Sequence, residues 1–413
     1  MTVLRGTVAT AGGSNLYAVY GNGLYTVNSA GTRTSVGSLV SSTGYVDMKI
    51  GRDQLVIVDG NFGYYYNLTS GVLTQISDVN FRGSARVGYV DGYFLFTEPQ
   101  SQRFYISASE DASTIDASDE VQIQGGPDKL IAVLNDHKEA WLFGENTIEV
   151  WVNTGNADFP FERNESAFIQ TGLMAAFSAQ SLDNTLFWLG RDERGGGQIF
   201  KSEGYRVVRI STDAVEQPIQ KFIRDGGDIS RAIAYTYQQG GHAFYVLKIP
   251  GMLTCWAFDV ATGFWHERAD FENGDYVLHR ASMHAYCYGK NLVGSYEDGI
   301  IYEYDPLVYT NGTDPLVRDR ISPHYAQKSM NRVFFGSFEL DCPVGGGDGD
   351  VLLRVSNDGG ENWGNWRTSA IATGLTRGKV VWNRNGSAND RVWHVRCVDD
   401  MPFAIVDAAI EAQ

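Results

Sequence analysis

The sequence predicts an all-β protein: a multi-bladed antiparallel β-propeller of about six or seven blades, followed by a small C-terminal β-sandwich-like module. Three observations carry this. Forty-seven glycines and only 10 prolines sit among residues that are 13% aromatic, the composition of short strands joined by tight turns. Clusters of short apolar strands recur with a loose period of roughly 30 to 55 residues, the range of propeller blades. After Ile321 the pattern changes to longer alternating strands. At 413 residues the chain is too long for one core. It divides into a propeller (1–306), a linker (307–320) and a β module (321–413).

The units follow in order. Leu16-Tyr17-Ala18-Val19-Tyr20, the turn Gly21-Asn22-Gly23 and Leu24-Tyr25-Thr26-Val27 read as a hairpin, with a third strand ending at Leu39. A second unit runs from Val46-Asp47-Met48-Lys49-Ile50 through Leu55-Val56-Ile57-Val58 and Tyr64-Tyr65-Tyr66 to Ile76. A third covers 85–106 and a fourth 130–152; three more cover 177–210, 233–266 and 283–304. In each, an inner strand leads into an aromatic-rich hairpin and a fourth edge strand. Four short strands cannot bury both sheet faces alone, and radial stacking of such sheets solves this while protecting the edges.

One stretch reads as a helix. Ser211-Thr212-Asp213 supplies capping residues, and Val215, Ile219, Phe222 and Ile223 share a face. Pro218 implies that the helix is short or starts at Gln217. The segment with Asn311-Gly312-Thr313-Asp314-Pro315 has turn composition. Beyond it, strands are expected at 333–340, 350–355, 380–382, 391–397 and 403–408, with strict alternation in 391–397. These read as a small sandwich.

Residues 143–189 carry a more particular pattern. Phe143-Gly144-Glu145-Asn146-Thr147-Ile148-Glu149 opens a strand in which Ile148, Val150 and Val152 alternate with Thr147, Glu149 and Trp151, as in a half-buried strand. Gln170-Thr171-Gly172-Leu173 and Thr185-Leu186-Phe187-Trp188-Leu189 follow. This order resembles the middle of the packaged-DNA stabilisation proteins of short-tailed bacteriophages, also called tail hub or nozzle proteins. The resemblance extends over most of the chain, because that family also ends in a β module. Its members carry an extended segment before the first blade, so here the first blade is expected to be incomplete or closed by a strand from elsewhere. The resemblance implies a virion structural protein assembled in the host cytoplasm. It implies a homo-oligomeric ring, a hexamer, below portal and adaptor proteins, retaining packaged DNA and providing the ejection channel. A distal needle or plug and tailspike or fibre proteins are the implied further partners.

Charge agrees with double-stranded DNA passing without tight binding. Thirty-three basic against 49 acidic residues leave a formal charge of −16, whereas gripping phosphates needs clustered Lys and Arg. No window approaches the ~20 apolar residues of a membrane span, and Met1–Gly6 lacks an apolar signal core. The four cysteines (255, 287, 342, 397) have no metal-binding spacing and read as small buried side chains.

Candidate chemistry is sparse. Ser356-Asn357-Asp358-Gly359-Gly360-Glu361-Asn362-Trp363 fits the Asp-box pattern S-x-D-x-G-x-x-W. Asp358 would accept turn amides, Gly360 would supply an unusual φ and Trp363 would pack beneath the loop. Sialidases carry several such boxes, so a carbohydrate-binding or glycan-hydrolysing propeller is the alternative reading. That chemistry needs paired carboxylates or a Tyr nucleophile with an Arg cluster, and the acids here are scattered. No catalytic, cofactor-binding or metal-binding residues are assigned, and no cofactor is implied. Gly345-Gly346-Gly347-Asp348-Gly349-Asp350 reads as a flexible hairpin tip, and Arg191-Asp192-Glu193-Arg194-Gly195-Gly196-Gly197 as a solvated one. Seven single histidines (137, 242, 266, 279, 284, 324, 394) have no ligand spacing.

Overall fold

Strands outnumber helices because turn residues interrupt the apolar runs every few positions. In the computed structural model, which describes residues 3–326, 332–342, 349–371 and 378–412, 55% of the chain is strand and 4% helix. The chain forms two compact units, Met1–Ala269 with Leu278–Tyr304, and Asp270–Val277 with Asp305–Gln413.

The first unit contains seven antiparallel sheets among the described residues. Their inner strands are Leu4–Ala9, Asp47–Ile50, Val87–Val90, Leu130–Asp136, Gln180–Leu182, Ile233–Gln239 and Ala281–Cys287. They define blades 1 to 7 of a propeller. Blade 4 meets blade 5 through Glu139–Gly144 and Gly172–Leu173, and the ring closes where Ala281–Cys287 packs beside Leu4–Ala9. Closure is also hydrogen-bonded: Tyr288 N donates to Gly13 O at 2.8 Å and Tyr288 Oη to Val27 O at 2.5 Å. Blade 1 is not the incomplete one. It has four strands, starting at Leu4–Ala9, whereas blade 7 has three, ending at Ile301–Glu303. No strand from elsewhere is needed, because apolar packing of Leu4, Leu16 and Tyr20 on Met283, Ala285 and Cys287 seals the joint.

Between successive blades lies one apolar cluster each, seven in all among the described residues. Gln54–Val58 shows why. Leu55 and Ile57 face blade 1, Val56 and Val58 face blade 3, and the whole strand is buried. Period-two side chains in a strand covered on both faces give an unbroken apolar run. The same correction applies to Ile148–Asn153, expected to be half-buried. Ile148 and Val150 pack toward blade 5 and Trp151 toward blade 3.

The helix spans the 12 residues Asp213–Arg224 and runs through Pro218 rather than starting at Gln217. Pro218 removes one i→i−4 bond. Burial of Val215 and Ile219 against Leu189, Ile199 and Tyr245 offsets that loss. The glycine run near it is not simply a solvated tip: Gly197 is buried, and a Cβ there would lie 3.0 Å from Ile219 Cγ2.

The second unit is a two-sheet sandwich. Asp390–Cys397 is flanked in one sheet by Arg318–Ile321 and by Gly349–Ser356, which pairs with Arg367–Ile371. In the other, Val333–Cys342 lies between Gly378–Asn383 and Asp407–Ala412. Phe338 stacks on Trp393 at 4.6 Å in the core, with Leu340, Leu353 and Val395 around them. The stretch 307–320, read as a linker, holds the short strands Thr310–Asn311 and Asp314–Pro315 and begins Arg318–Ile321. Of the glycine-rich loop, residues 345–348 lie outside the described residues, and Gly349 and Asp350 open a strand. The four cysteines are free and buried.

Candidate functional site

The pattern at 143–173 is a clasp that fixes the backbone between blades 4 and 5. Asp128 Oδ2 accepts from Asn146 N at 2.9 Å, Thr147 N at 2.6 Å and Thr147 Oγ1 at 2.8 Å. Gly144 leaves room for this carboxylate, since a Cβ there would sit 2.4 Å from Asp128 Oδ2. Buried Glu149 takes Gln124 N and Gly125 N with one oxygen, at 3.0 and 2.6 Å, and Trp151 Nε1 at 3.0 Å with the other. Gly172 passes so close to the turn that a Cβ would lie 1.9 Å from Glu145 O. Gly144, Thr147, Ile148, Glu149, Gly172 and Leu173 of Phe-Gly-x-x-Thr-Ile-Glu…Gln-x-Gly-Leu therefore serve packing or backbone satisfaction, whereas Gln170 is exposed.

The Asp-box residues meet in one turn. Ser356 Oγ donates to Asp358 Oδ1 at 2.7 Å and accepts from Gly360 N at 2.9 Å. Asp358 also accepts from Asn362 N at 2.9 Å and Asn362 Nδ2 at 2.7 Å. Hydrogen bonds from Ser356 and then Asn362 lower the Asp358 pKa to about 2. Gly360 has φ +97°. Trp363 folds over the outer face of the first sheet, 5.2 Å from the His394 ring, and Trp366 lies 4.9 Å from it. This is why the alternating strand Asp390–Cys397 is buried on both faces.

The outer face carries a cation–π ladder that sequence reading missed. The Arg354 guanidinium lies 4.8 Å from the Trp363 ring centre and 4.4 Å from that of Trp366; Arg396 lies 4.9 Å from Trp366. A guanidinium group thus lies over each of the two indole rings. Asp319 anchors the ladder, accepting from Arg396 Nε and Nη2 at 2.8 Å each and from Tyr276 Oη, with His394 Nε2 at 3.2 Å. Burial pushes the Asp319 carboxyl up. Hydrogen bonds from Arg396, His394 and Tyr276 outweigh it and hold the carboxyl well below the usual range. A depressed folded-state pKa gives stability that is present above the unfolded pKa of about 4 and is lost as pH falls below it. Acid unfolding of the C-terminal unit, followed by tryptophan fluorescence, should therefore be shallower below about pH 4 in Asp319→Asn than in the unaltered chain. Equal slopes would show that this contact does not set the acid limit.

A third feature is the propeller axis. Inner strands of all seven blades enclose a cavity of about 310 Å³. Asp47 Oδ2 lies 2.9 Å from Arg86 Nε and accepts from Val87 N at 2.9 Å. Arg86 Nη1 donates to Ala176 O and Ala179 O at 2.8 and 3.1 Å. The legible signal was two charges, Asp47 and Lys49, at alternate positions of an otherwise apolar inner strand. Histidines are partnered singly, for example His242 Nδ1 with Asp259 at 2.8 Å, His284 Nε2 with Asn291 at 3.0 Å and His324 Nδ1 with Asp390 at 2.8 Å. Among the described residues no three His, Cys, Asp or Glu side chains are placed to hold a metal ion, and no helix is long and apolar enough to cross a membrane.

Residues 2–309 match the family described as bacteriophage P22 Gp10, beta-propeller, and residues 321–413 match its beta-sandwich. The chain belongs to the bacteriophage P22 Gp10 family. Its place is the phage virion, as a structural tail protein that stabilises packaged DNA. Both halves of the observed architecture, propeller and sandwich, are those of the family. No curated protein matches the sequence. Among solved structures, a mitotic checkpoint complex chain is similar at 11% identity and TM-score 0.48, over 74% of this chain and 91% of that one. The N-terminal domain of Nup159 is similar at 10% and 0.44, over 73% and 89%. The extracellular domain of a hybrid two-component system from B. thetaiotaomicron is similar at 10% and 0.49, over 91% and 46%. Likeness this distant says nothing of what the chain does.

Proposed function

We propose that copies of this chain form a homo-oligomeric ring, a hexamer, below the portal and adaptor proteins of a short-tailed phage. The ring is the hub through which the genome leaves. A distal needle or plug and tailspike or fibre proteins attach to it, and it is built in the host cytoplasm. The observation that supports this reading is the family match over both parts of the chain. Residues 1–306 form the ring body, 307–320 connect it, and 321–413 supply further docking surface. The Asp-box turn at Ser356, Asp358, Gly360 and Trp363 is structural, and the protein acts without a cofactor and without turnover.

Geometry constrains the DNA path. The axial cavity has the volume of about ten waters at ~30 Å³ each, and a duplex whose major groove alone is about 12 Å wide cannot enter it. The channel therefore runs between subunits, not along a propeller axis. The excess of 49 acidic over 33 basic residues supports a wall of Asp, Glu and neutral polar side chains, because each wall Lys or Arg adds a phosphate contact and slows exit. Electron microscopy of purified protein or tails tests the assembly: sixfold rings with an open centre are expected. Closed assemblies, or a lumen lined by rings of Lys or Arg, would refute it. Gel-shift titration at physiological salt should show no duplex complex at micromolar subunit. Cleavage of sialosides by pure protein, abolished by changing one acid, would favour the carbohydrate-hydrolysing alternative.

A further inference from the structure

We propose that residues 174–179 form a plug drawn across one mouth of the axial cavity and held there by Arg86 as a latch. The inner strand of blade 5 is split. Gly172–Leu173 and Gln180–Leu182 both pair with Thr185–Asp192, Leu173 opposite Gly190 and Gln180 opposite Phe187. Between these contacts the partner strand supplies two residues, Trp188 and Leu189, and the inner strand supplies six, 174–179. The surplus leaves the ladder, as in a large bulge, and re-aims its side chains. The inner strands of blades 1, 4 and 7 are irregular by a single extra residue each.

The excursion runs to the axis. Phe177 lines the axial cavity together with Arg86. Tyr45 and Arg86 stand just before the inner strands of blades 2 and 3, as Phe177 stands before Gln180–Leu182. Tyr296 follows Lys290–Ser295, the second strand of blade 7. Antiparallel alternation puts these four positions at the same end of the propeller. There the Phe177 ring centre lies 5.4 Å from the Arg86 guanidinium and 5.5 Å from the Tyr45 ring, which lies 4.9 Å from Tyr296. Blade 5 thereby meets blades 2 and 3, and blade 2 meets blade 7. None of these pairs are neighbours around the ring, so the contacts cross the axis.

Backbone that has left its ladder needs other partners. Phe177 O accepts from Ala234 N at 2.9 Å and Ser178 O from Tyr245 Oη at 2.8 Å, both in the adjacent blade 6. Ala176 O and Ala179 O accept from Arg86 Nη1 at 2.8 and 3.1 Å. Arg86 alone among these donors comes from a blade that is not adjacent. Asp47 Oδ2 fixes it through Nε at 2.9 Å. The guanidinium is buried, so its removal would take the donor from two carbonyls and the partner from Asp47. A latch differs from a core contact in what its loss releases: one local segment opens while the apolar wedges between blades stay closed.

The test is hydrogen exchange of the full chain at neutral pH, read by mass spectrometry, for the unaltered protein, Arg86→Met and Phe177→Ala. In Arg86→Met, amides of 174–180 and of Ala234 should exchange about tenfold faster or more, while those of Gln54–Val58 keep their rates. Phe177→Ala retains the Arg86 bonds and should speed the same segment by a smaller factor. Unchanged exchange at 174–180 in Arg86→Met would overturn the proposal. Equal acceleration in every blade would also overturn it, since Arg86 would then hold the whole fold and not a plug. Should Arg86→Met fail to fold, Phe177→Ala decides: acceleration confined to 174–180 supports the plug, and none, or a uniform rise, refutes it.

Discussion

Replacing Arg5 by methionine should destabilise the propeller by about 3–5 kcal/mol, the range for removing one partner from a buried charged network. Arg5 is 1% exposed. Its Nε donates to Gly44 O at 2.7 Å, Nη1 to Gly21 O and Ser41 O at 2.9 and 2.8 Å, and Nη2 to Ser41 Oγ and Thr43 O at 2.8 Å each. All five donors of the guanidinium are used. They gather a blade 1 turn and the 41–44 loop, which leads into blade 2. Methionine would fill much of the volume and leave four carbonyls and a hydroxyl without this donor, each orphan acceptor costing about 1–3 kcal/mol unless water reaches it. Lysine offers only three donors without the planar fork and should recover a minor part. Urea unfolding of the full chain, resolving the propeller transition from that of the sandwich, measures this. A loss below about 1 kcal/mol would mean that the loop is held by something else.

Gly172→Ala should also destabilise the propeller, by at least the ~1–3 kcal/mol typical of overpacking. The alanine Cβ would meet backbone, Glu145 O at 1.9 Å and Asn146 N at 2.5 Å. Backbone held by Asp128 through Asn146 N and Thr147 N has little freedom to retreat. Asp128→Ala removes that restraint and itself takes the acceptor from the part-buried amides of Asn146 and Thr147. The two changes share one structure, so their costs should not add; the double variant should lose less than the sum. Soluble yield and thermal unfolding of the three variants decide this. A Gly172→Ala protein as stable as the parent would show that the contact relaxes.

How much of this was legible depends on the range of the interaction. Strand and turn are local, so Gly21-Asn22-Gly23 and the runs at 16–20 and 55–58 could be read directly. Family membership was legible in Phe143-Gly144…Thr147-Ile148-Glu149 with Gly172, although the physical reason for those residues was not, because Asp128 lies outside the pattern. The Asp-box turn was readable because its bonds stay within a few residues, from Ser356 to Asn362. The ladder of Trp363, Arg354, Trp366 and Arg396 was not, since its members come from two paired strands and the loop that folds over them.

The sequence by itself determined an all-β chain with propeller cadence, a change of pattern near residue 321, a family resemblance and a net charge unsuited to gripping DNA. These rest on composition, period-two alternation and turn chemistry, all properties of neighbouring residues. Only the tertiary structure decided that seven blades close the ring and that blade 7, not blade 1, lacks a strand. It alone placed Lys49 in the lining of the axial cavity with Asp47 and Arg86. Ring closure and burial of charge depend on which strands meet across hundreds of residues, and a lysine in a short strand looks the same whether its amine reaches water, a carboxylate or an axial cavity.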